Sequence, residues 1–324
     1  KVPANLRVKP TLVANLKSKN AGAKNLELAY LTNGISWKAD YVAEVKSDDE
    51  LTINTWITLN NETGADYENA KVQLISGSVN QTYDTGNVVR PMMAMKMARG
   101  AAMDNASFTE SAPVERGNIS DYYLYTLPAK TTIKDKQSKQ VSLMNLDKVK
   151  YEKEYVMTSP LYLNVGIQSG DFEKLNPNVV FKLKNEKTSN LGEPLPGGVV
   201  RFYENDAHNN MQFIGESRIE QSAVGEKIDL TIGKAFDVFA KGKVVNVRAI
   251  SKDINEFDVE VTFNNASEKA KNIVFEQNVY NKWDMLKESM KSEKKNSSTV
   301  KWSFELPKNG KKVLTYTIRV NRSR

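Results

Sequence analysis

The stretch that decides the fold lies at residues 56–63 and reads WITLNNET. Apolar and polar side chains alternate along its first half, as in a strand with one buried face, and the alternation stops at an asparagine-rich turn. The same signature returns at residues 181–188, which read FKLKNEKT, and at residues 261–267, which read VTFNNAS. Three copies of one strand-and-turn signature predict consecutive β-sandwich modules.

A second feature follows each signature later in the chain. It consists of a strand, a charged turn and a returning strand, and the charged turns lie at residues 134–140, 225–227 and 309–312. Two features in the same order, three times along the chain, predict three related units. The predicted units are residues 1–157, a sandwich with a loop insertion; residues 158–240, a β-rich middle module; and residues 241–324, an immunoglobulin-like sandwich.

Strand-like alternation dominates the remaining sequence. It occurs at residues 27–31, 41–45, 71–75, 199–203, 258–263 and 313–320. Only residues 281–294 indicate a short helix, because Trp283, Leu286 and Met290 fall at helical spacing. We therefore predict an all-β protein of two or three consecutive immunoglobulin-like β-sandwich modules, with a long loop insertion in the first.

Length and composition limit the kind of protein further. The chain has 324 residues, of which 40% are hydrophobic, so it is long enough for several cores. It has no apolar run long enough to predict a membrane-spanning helix. It begins at Lys1 without a hydrophobic leader, and we interpret it as a mature or trimmed fragment. Cysteine is absent, which excludes disulfides, thiolate nucleophiles and cysteine zinc sites and is compatible with a bacterial periplasm or cell surface.

The net charge of +7 has two interpretations. It could attract nucleic acid, phospholipid or a polyanionic glycan, or it could belong to a lysine-rich solvated surface. Lysine and glutamate are interspersed, no basic stripe alternates with aromatic residues, and no nucleic-acid module motif is present. The sequence therefore favours the solvated surface and does not favour nucleic-acid binding.

The insertion in the first unit covers residues 80–119. Five of the ten methionines lie close together within it: Met92, Met93, Met95, Met97 and Met103. A loop of this length is either functional or disordered. Flexible methionine side chains suit an adaptable partner surface, and neighbouring basic residues would also allow shallow membrane contact. The chain thus predicts a possible protein or envelope contact through residues 88–117, with a tether that binds nothing as the alternative.

Few residues indicate chemistry. The single histidine, His208, lies near Glu204 and Asp206, and these three could hold Ca²⁺, although such residues more often simply form turns. The chain has no nucleophile elbow, phosphate loop or dinucleotide fingerprint. We assign no catalytic, cofactor-binding or metal-binding residue and no cofactor. A pair of carboxylates, as glycosidases use, stays open.

The aromatic residues favour structure over chemistry. Trp37 lies in an alternating strand, and we expect it in the core, with a sugar-stacking role as the alternative. Tyr122, Tyr123 and Tyr125 occupy both faces of one strand, so we expect at least one to be exposed.

Several segments together resemble a known family. They are residues 28–41, 60–74, 123–128, 194–203 and 213–216. Their order resembles a bacterial domain-of-unknown-function family related to the C-terminal domain of mucoidy-inhibitor-type proteins. The resemblance implies an exported bacterial β protein with no established activity and no catalytic residues.

Together the residues and the resemblance predict a non-enzymatic binding or scaffolding protein of the cell envelope. It would be periplasmic, cell-surface or secreted. The alternative is a carbohydrate-active enzyme or a carbohydrate-binding module that uses carboxylates and exposed aromatic residues.

Overall fold

The computed structural model describes residues 11, 13, 15–23, 25–76, 115–119, 122–127, 129–166 and 170–322. Within these residues the regular structure consists of β-strands and one 3-10 turn at Lys187–Ser189. The predicted all-β fold class is therefore confirmed, while the immunoglobulin-like detail of each module and the three unit boundaries stay predictions. None of the helical structure described here is long and apolar enough to cross a membrane.

The described residues form twenty strands. They are β1 (Ile35–Val45), β2 (Glu50–Asn61), β3 (Tyr67–Ala70), β4 (Gln73–Ser76), β5 (Glu115–Ile119), β6 (Tyr122–Thr126), β7 (Thr131–Ile133), β8 (Ser138–Thr158), β9 (Asp171–Leu175), β10 (Asn178–Lys184), β11 (Gly198–Asn205), β12 (Met211–Ile219), β13 (Lys227–Lys234), β14 (Val238–Ser251), β15 (Ile254–Asn265), β16 (Lys271–Asn278), β17 (Lys282–Glu288), β18 (Glu293–Asn296), β19 (Thr299–Leu306) and β20 (Lys311–Asn321).

The chain groups into two compact units. The first comprises residues 1–39 and 55–144, and the second comprises residues 40–54 and 145–324. In the first unit β4, β6 and β5 form an antiparallel sheet in that order, and β3 pairs with β7. The boundaries between the units fall within the long strands β1, β2 and β8.

The second unit is built on two larger sheets. A ten-stranded sheet has the order β12-β11-β1-β2-β8-β16-β19-β18, and β10 joins it by pairing with β8 and β13. A five-stranded sheet has the order β17-β20-β15-β14-β9. Strands β8 and β16 run parallel, with Tyr155 opposite Ile273.

One core lies between β15 and β20 on one side and β16 and β19 on the other. It follows from the alternation of buried and less buried side chains at period two. Every second residue of β15 is buried: Phe257, Val259, Val261 and Phe263. The ring of Phe263 meets that of Phe275 edge-on at 5.2 Å, and the ring of Trp302 lies 4.8 Å from that of Tyr316. Because each ring pair joins a strand of one sheet to a strand of the other, this part of the chain is a two-layer β-sandwich.

The asparagine at the end of β15 fastens two loops. Asn265 is 3% exposed, and its Nδ2 donates to the backbone carbonyls of Lys269 and Pro307, both at 2.9 Å. Its Oδ1 accepts the backbone N–H of Ser267 at 3.0 Å. Its own backbone N–H donates to the carbonyl of Gly310 at 2.9 Å, in the charged turn before β20. We call this arrangement an asparagine corner.

The end of β2 has the same arrangement. Asn61 is 1% exposed, and its Nδ2 donates to the carbonyls of Ala65 at 2.8 Å and Ile133 at 3.2 Å. Its Oδ1 accepts the backbone N–H of Thr63 at 3.1 Å. Its backbone N–H donates to the carbonyl of Gln137 at 3.0 Å, in the charged turn before β8.

A third asparagine corner follows β10. Asn185 is fully buried, and its Nδ2 donates to the carbonyls of Glu193 at 2.8 Å and Ala223 at 3.0 Å. Its Oδ1 accepts the backbone N–H of Gly192 at 2.9 Å. Its backbone N–H donates to the carbonyl of Glu226 at 2.8 Å, in the charged turn before β13. The two sequence features that recur three times are therefore hydrogen-bonded to each other in all three places.

The strand pairing is also common to the three corners. The strand that ends at the asparagine neighbours the strand that follows the charged turn, as in β2 and β8, β10 and β13, and β15 and β20. The length of chain between the asparagine and its turn partner is similar in the second and third corners and much greater in the first. The predicted insertion at residues 80–119 accounts for the extra length of the first.

Three local predictions were wrong. Residues 281–294 are not helical, because β17 and β18 occupy them, and Trp283 and Met285 alternate with exposed residues at period two. Residues 27–31 alternate but do not form a strand, and Leu31 is 96% exposed. The end of the predicted insertion is a strand rather than a loop, since Glu115–Ile119 pairs with β6.

The predicted returning strands are present, but they do not pair with the strand that precedes the charged turn. Before the charged turn at residues 309–312, β19 belongs to the ten-stranded sheet, and after it β20 belongs to the five-stranded sheet. Before the turn at residues 225–227, β12 pairs with β11, and after it β13 pairs with β10. Each turn therefore leads the chain away from the ladder of the preceding strand.

Candidate functional site

The predicted partner-contact residues lie outside the part of the chain that the structure describes. They are Met92, Met93, Met95, Met97 and Met103. Partner contact through residues 88–117 therefore stays a prediction.

The loop that carries His208 connects β11 to β12, and the carboxylate of Asp206 accepts hydrogen bonds from neighbouring residues. One oxygen of Asp206 accepts the backbone N–H groups of His208 and Asn210, both at 2.9 Å, and the other accepts Nε2 of Gln212 at 3.1 Å. These bonds, led by that from Asn210, lower the pKa of Asp206. Among the described residues no three His, Cys, Asp or Glu side chains are grouped so that they could hold a metal ion. The turn-forming interpretation of this loop accounts for its geometry.

The aromatic residues singled out in the sequence differ from one another in burial. Trp37 is only partly buried, because β1 enters the core at Ala39, so the expectation of a core tryptophan is met in part. Tyr125 is buried, whereas Tyr122 and Tyr123 are partly buried. None of the three tyrosines of this strand is fully exposed.

Two carboxylates lie side by side on the outward face of β15. Arg248 contacts both Glu256, at 3.2 Å, and Asp258, while Arg319 donates to Glu256 at 2.6 Å and Thr317 donates to Asp258 at 2.7 Å. The hydrogen bond from Arg319 lowers the pKa of Glu256, and that from Arg248 lowers the pKa of Asp258. A glycosidase needs one carboxyl group whose pKa is raised, so that it can donate a proton. In this pair both pKa values are lowered instead, and the two carboxylates form an ion-pair network with Arg248 and Arg319.

A surface groove with a volume of about 730 Å³ runs beside β8. Lys269 Nζ donates to both carboxylate oxygens of Asp48, at 2.9 and 3.1 Å, and Lys271 Nζ donates to the Tyr155 hydroxyl at 2.9 Å. The bond from Lys269 lowers the pKa of Asp48. The lining holds three lysines against six carboxylates: Asp48, Asp49, Glu152, Glu154, Glu204 and Glu305. Because carboxylates outnumber lysines, the groove does not suit a polyanion.

Two tyrosines form an exposed aromatic surface, which we call the tyrosine platform. Tyr280 is 69% exposed and Tyr162 is 43% exposed, and their ring centres lie 6.0 Å apart at an interplanar angle of 35°. Each ring projects from a backbone whose neighbours are buried, namely Leu161 and Leu163 beside Tyr162, and Val279 beside Tyr280. Since side chains alternate along extended chain, burial of these neighbours directs the tyrosines outward.

Hydrogen bonds hold the two segments of the platform together. Asn281 Nδ2 donates to Asn164 Oδ1 at 2.6 Å, and Asn164 Nδ2 donates to the Tyr162 hydroxyl at 3.3 Å. Beneath them, Nε2 of the fully buried Gln277 donates to the carbonyl of Leu161 at 2.9 Å. The platform is therefore fixed by its surroundings, and the side chains that bond to it are neutral.

Sequence reasoning did not single out the platform, although a signal for it exists. Residues 161–163 read LYL, so a tyrosine stands between two leucines in an alternating segment. If both leucines face the core, the tyrosine must face solvent. The partner, Tyr280, follows the buried Val279 in the same manner, but nothing local shows that the two tyrosines meet.

No protein-family model matches this chain, and no curated protein matches it significantly. The resemblance to the mucoidy-inhibitor-type family therefore stays a prediction.

Proposed function

We propose that this chain is a non-enzymatic, exported bacterial protein that binds or scaffolds partners at the cell envelope. The observation that supports the proposal most is the asparagine corner, present at Asn61, Asn185 and Asn265. Each corner ties a loop to a strand end through several hydrogen bonds of a buried asparagine, so the loops start from a rigid base. Recognition by loops on a rigid β framework is a common design for binding proteins.

The ionisable groups support a binding role over catalysis. The pKa values of Asp48, Glu256 and Asp258 are lowered by lysine or arginine partners, which keeps these carboxylates charged. Burial raises the pKa of Tyr151, whose hydroxyl donates to the carbonyl of Ser47 at 2.9 Å. Charged carboxylates in ion pairs and a neutral buried phenol stabilise a fold but do not provide a general acid near neutral pH.

The envelope location and the bacterial source rest on the family resemblance, and the absence of cysteine is compatible with both. The location is tested by tagging the natural gene in the source bacterium and fractionating the cells. Recovery in the periplasmic, outer-surface or secreted fraction would support the proposal. Recovery in the cytoplasm alone would contradict it.

The binding role is tested on the methionine-rich loop. Because residues 115–119 form a strand, the deletion should remove residues 88–114 and leave β5 intact. A second variant replaces Met92, Met93, Met95, Met97 and Met103 with serine and keeps the loop length. We expect in-cell cross-linking to capture an envelope protein with the natural chain and with neither variant. Equal capture by all three chains would show that this loop is not the contact.

The carbohydrate alternative divides in two. Its catalytic part gains no support, because the adjacent carboxylates of β15 are both bound by arginine. Its binding part is favoured by one observation, the tyrosine platform.

A further inference from the structure

The tyrosine platform keeps a large aromatic area in water on a rigid base. Burial of a large aromatic side chain makes a favourable contribution to folding. Tyr280 forgoes most of that contribution by remaining 69% exposed. The bond between Asn281 and Asn164, at 2.6 Å, holds the two rings in place without covering them. A surface organised before binding loses little entropy when a ligand settles on it.

The size of the platform indicates a small ligand rather than a folded protein. An aromatic side chain contributes about 150–250 Å² of contact, so two rings offer roughly 300–500 Å². A standard protein interface needs about 800 Å² from each partner. The platform by itself is therefore too small for a stable protein contact, but it matches the area that one or two flat rings of a ligand would cover.

The chemistry of the platform indicates a neutral ligand with C–H groups and hydroxyls. An aromatic face carries partial negative charge and attracts C–H groups that point at it. In the described part of the chain the Tyr280 hydroxyl makes no hydrogen bond, and the Asn281 side chain bonds only through its Nδ2. These groups stand beside the rings, where they would meet the hydroxyls at the edge of a sugar ring.

We propose that the tyrosine platform binds a neutral glycan chain, with one sugar ring stacked on Tyr280 and the next against Tyr162. A pyranose ring presents C–H groups on its face and hydroxyls around its edge, which is the pattern that the rings and amides complement. The inference goes beyond the proposed function, since an envelope scaffold need not bind sugar. Failure of the glycan test would therefore leave the scaffold proposal standing, and the fractionation experiment tests that one separately.

The test is calorimetric titration of the full chain with three neutral hexasaccharides: cellohexaose, chitohexaose and maltohexaose. We expect at least one to bind. Tyr280→Ala should weaken that binding at least about tenfold, which corresponds to about 1.4 kcal/mol, and Tyr162→Ala should weaken it as well. Phe236→Ala is the matched control, because Phe236 is an aromatic residue that is 86% exposed and lies outside the platform. It should leave binding unchanged.

Two results would overturn the inference. One is that none of the three hexasaccharides binds. The other is that a hexasaccharide binds equally well to the natural chain and to Tyr280→Ala, which would place the sugar elsewhere. Both tyrosines are partly or largely exposed, so the variants should fold, and equal thermal unfolding temperatures would verify that they do.

Discussion

Replacing the buried Asn265 with alanine removes an amide that bonds several part-buried backbone groups at once. The carbonyls of Lys269 and Pro307 lose a donor at 2.9 Å, and the N–H of Ser267 loses an acceptor at 3.0 Å. A buried polar group left without a partner costs about 1–3 kcal/mol. Some of these groups lie close enough to the surface for water to replace part of the loss. We therefore expect Asn265→Ala to reduce the free energy of unfolding of this sandwich by about 3 kcal/mol.

The loss is best read by hydrogen exchange of backbone amides in β15, β16, β19 and β20 of the full chain. A loss of about 3 kcal/mol corresponds to a fall in protection of roughly a hundredfold where exchange requires unfolding of the sandwich. Asn264→Ala is the matched control, because Asn264 precedes Asn265 on the outer face and its side chain makes no hydrogen bond in the described structure. The reasoning is refuted if Asn265→Ala loses no more protection than Asn264→Ala.

The isosteric variant Asn265→Asp separates hydrogen bonding from packing. A carboxylate here would face the carbonyls of Lys269 and Pro307 without a proton to donate. Its pKa in the folded state should therefore rise above the unfolded value of about 3.9. A raised pKa makes the folded variant bind protons more tightly than the unfolded chain. Its stability relative to the natural protein should improve as the pH falls from neutral toward about 4, and a constant deficit across that range would argue against the assigned bonds.

Two further changes test other parts of the fold. Gly215 has a φ of +150°, and a Cβ there would lie 2.1 Å from the carbonyl oxygen of Ile232, so Gly215→Ala should cost about 3 kcal/mol in urea unfolding. Gly233→Ala, where a Cβ meets nothing within 4 Å, should cost far less, and equal losses would contradict the close approach. In the folded protein Arg319 lowers the pKa of Glu256. The ion pair therefore stabilises the fold at pH values above the pKa that Glu256 has in the unfolded chain. This stabilisation is lost as the pH falls through the lower pKa of the folded state. Glu256→Gln should make the urea midpoint less dependent on pH in acid, and an unchanged acid slope would show that the ion pair does not contribute.

The sequence predicts strands well where apolar residues repeat at period two, because one buried face is a local property of the chain. Residues 258–263 are an example, since Val259, Val261 and Phe263 are buried and lie within β15. The prediction fails at residues 281–294, where three apolar residues at helical spacing could not outweigh the alternation of Trp283 and Met285. It also fails at residues 27–31, because alternation does not supply the neighbouring strand that a ladder requires.

Pairing between distant strands cannot be read from local pattern. A charged turn between two alternating strands looks the same whether the second strand continues the ladder or crosses to the other sheet, as β20 does after β19. The asparagine corners have one part that can be predicted from the sequence and one part that cannot. Their turns are recognisable from composition, but the bond from Asn61 to Gln137 crosses the whole insertion and could not be foreseen. The tyrosine platform is similar, because Tyr162 and Tyr280 come together only through the fold.

The claim that three related asparagine corners organise this chain can be tested directly by residue-resolved hydrogen exchange of side-chain amides. In the natural protein the Nδ2 hydrogens of Asn61, Asn185 and Asn265 should all be protected to the level of the backbone amides in their own strands, because each donates to buried or half-buried carbonyls. The claim is contradicted if any one of the three exchanges as fast as the amide of the exposed Asn205.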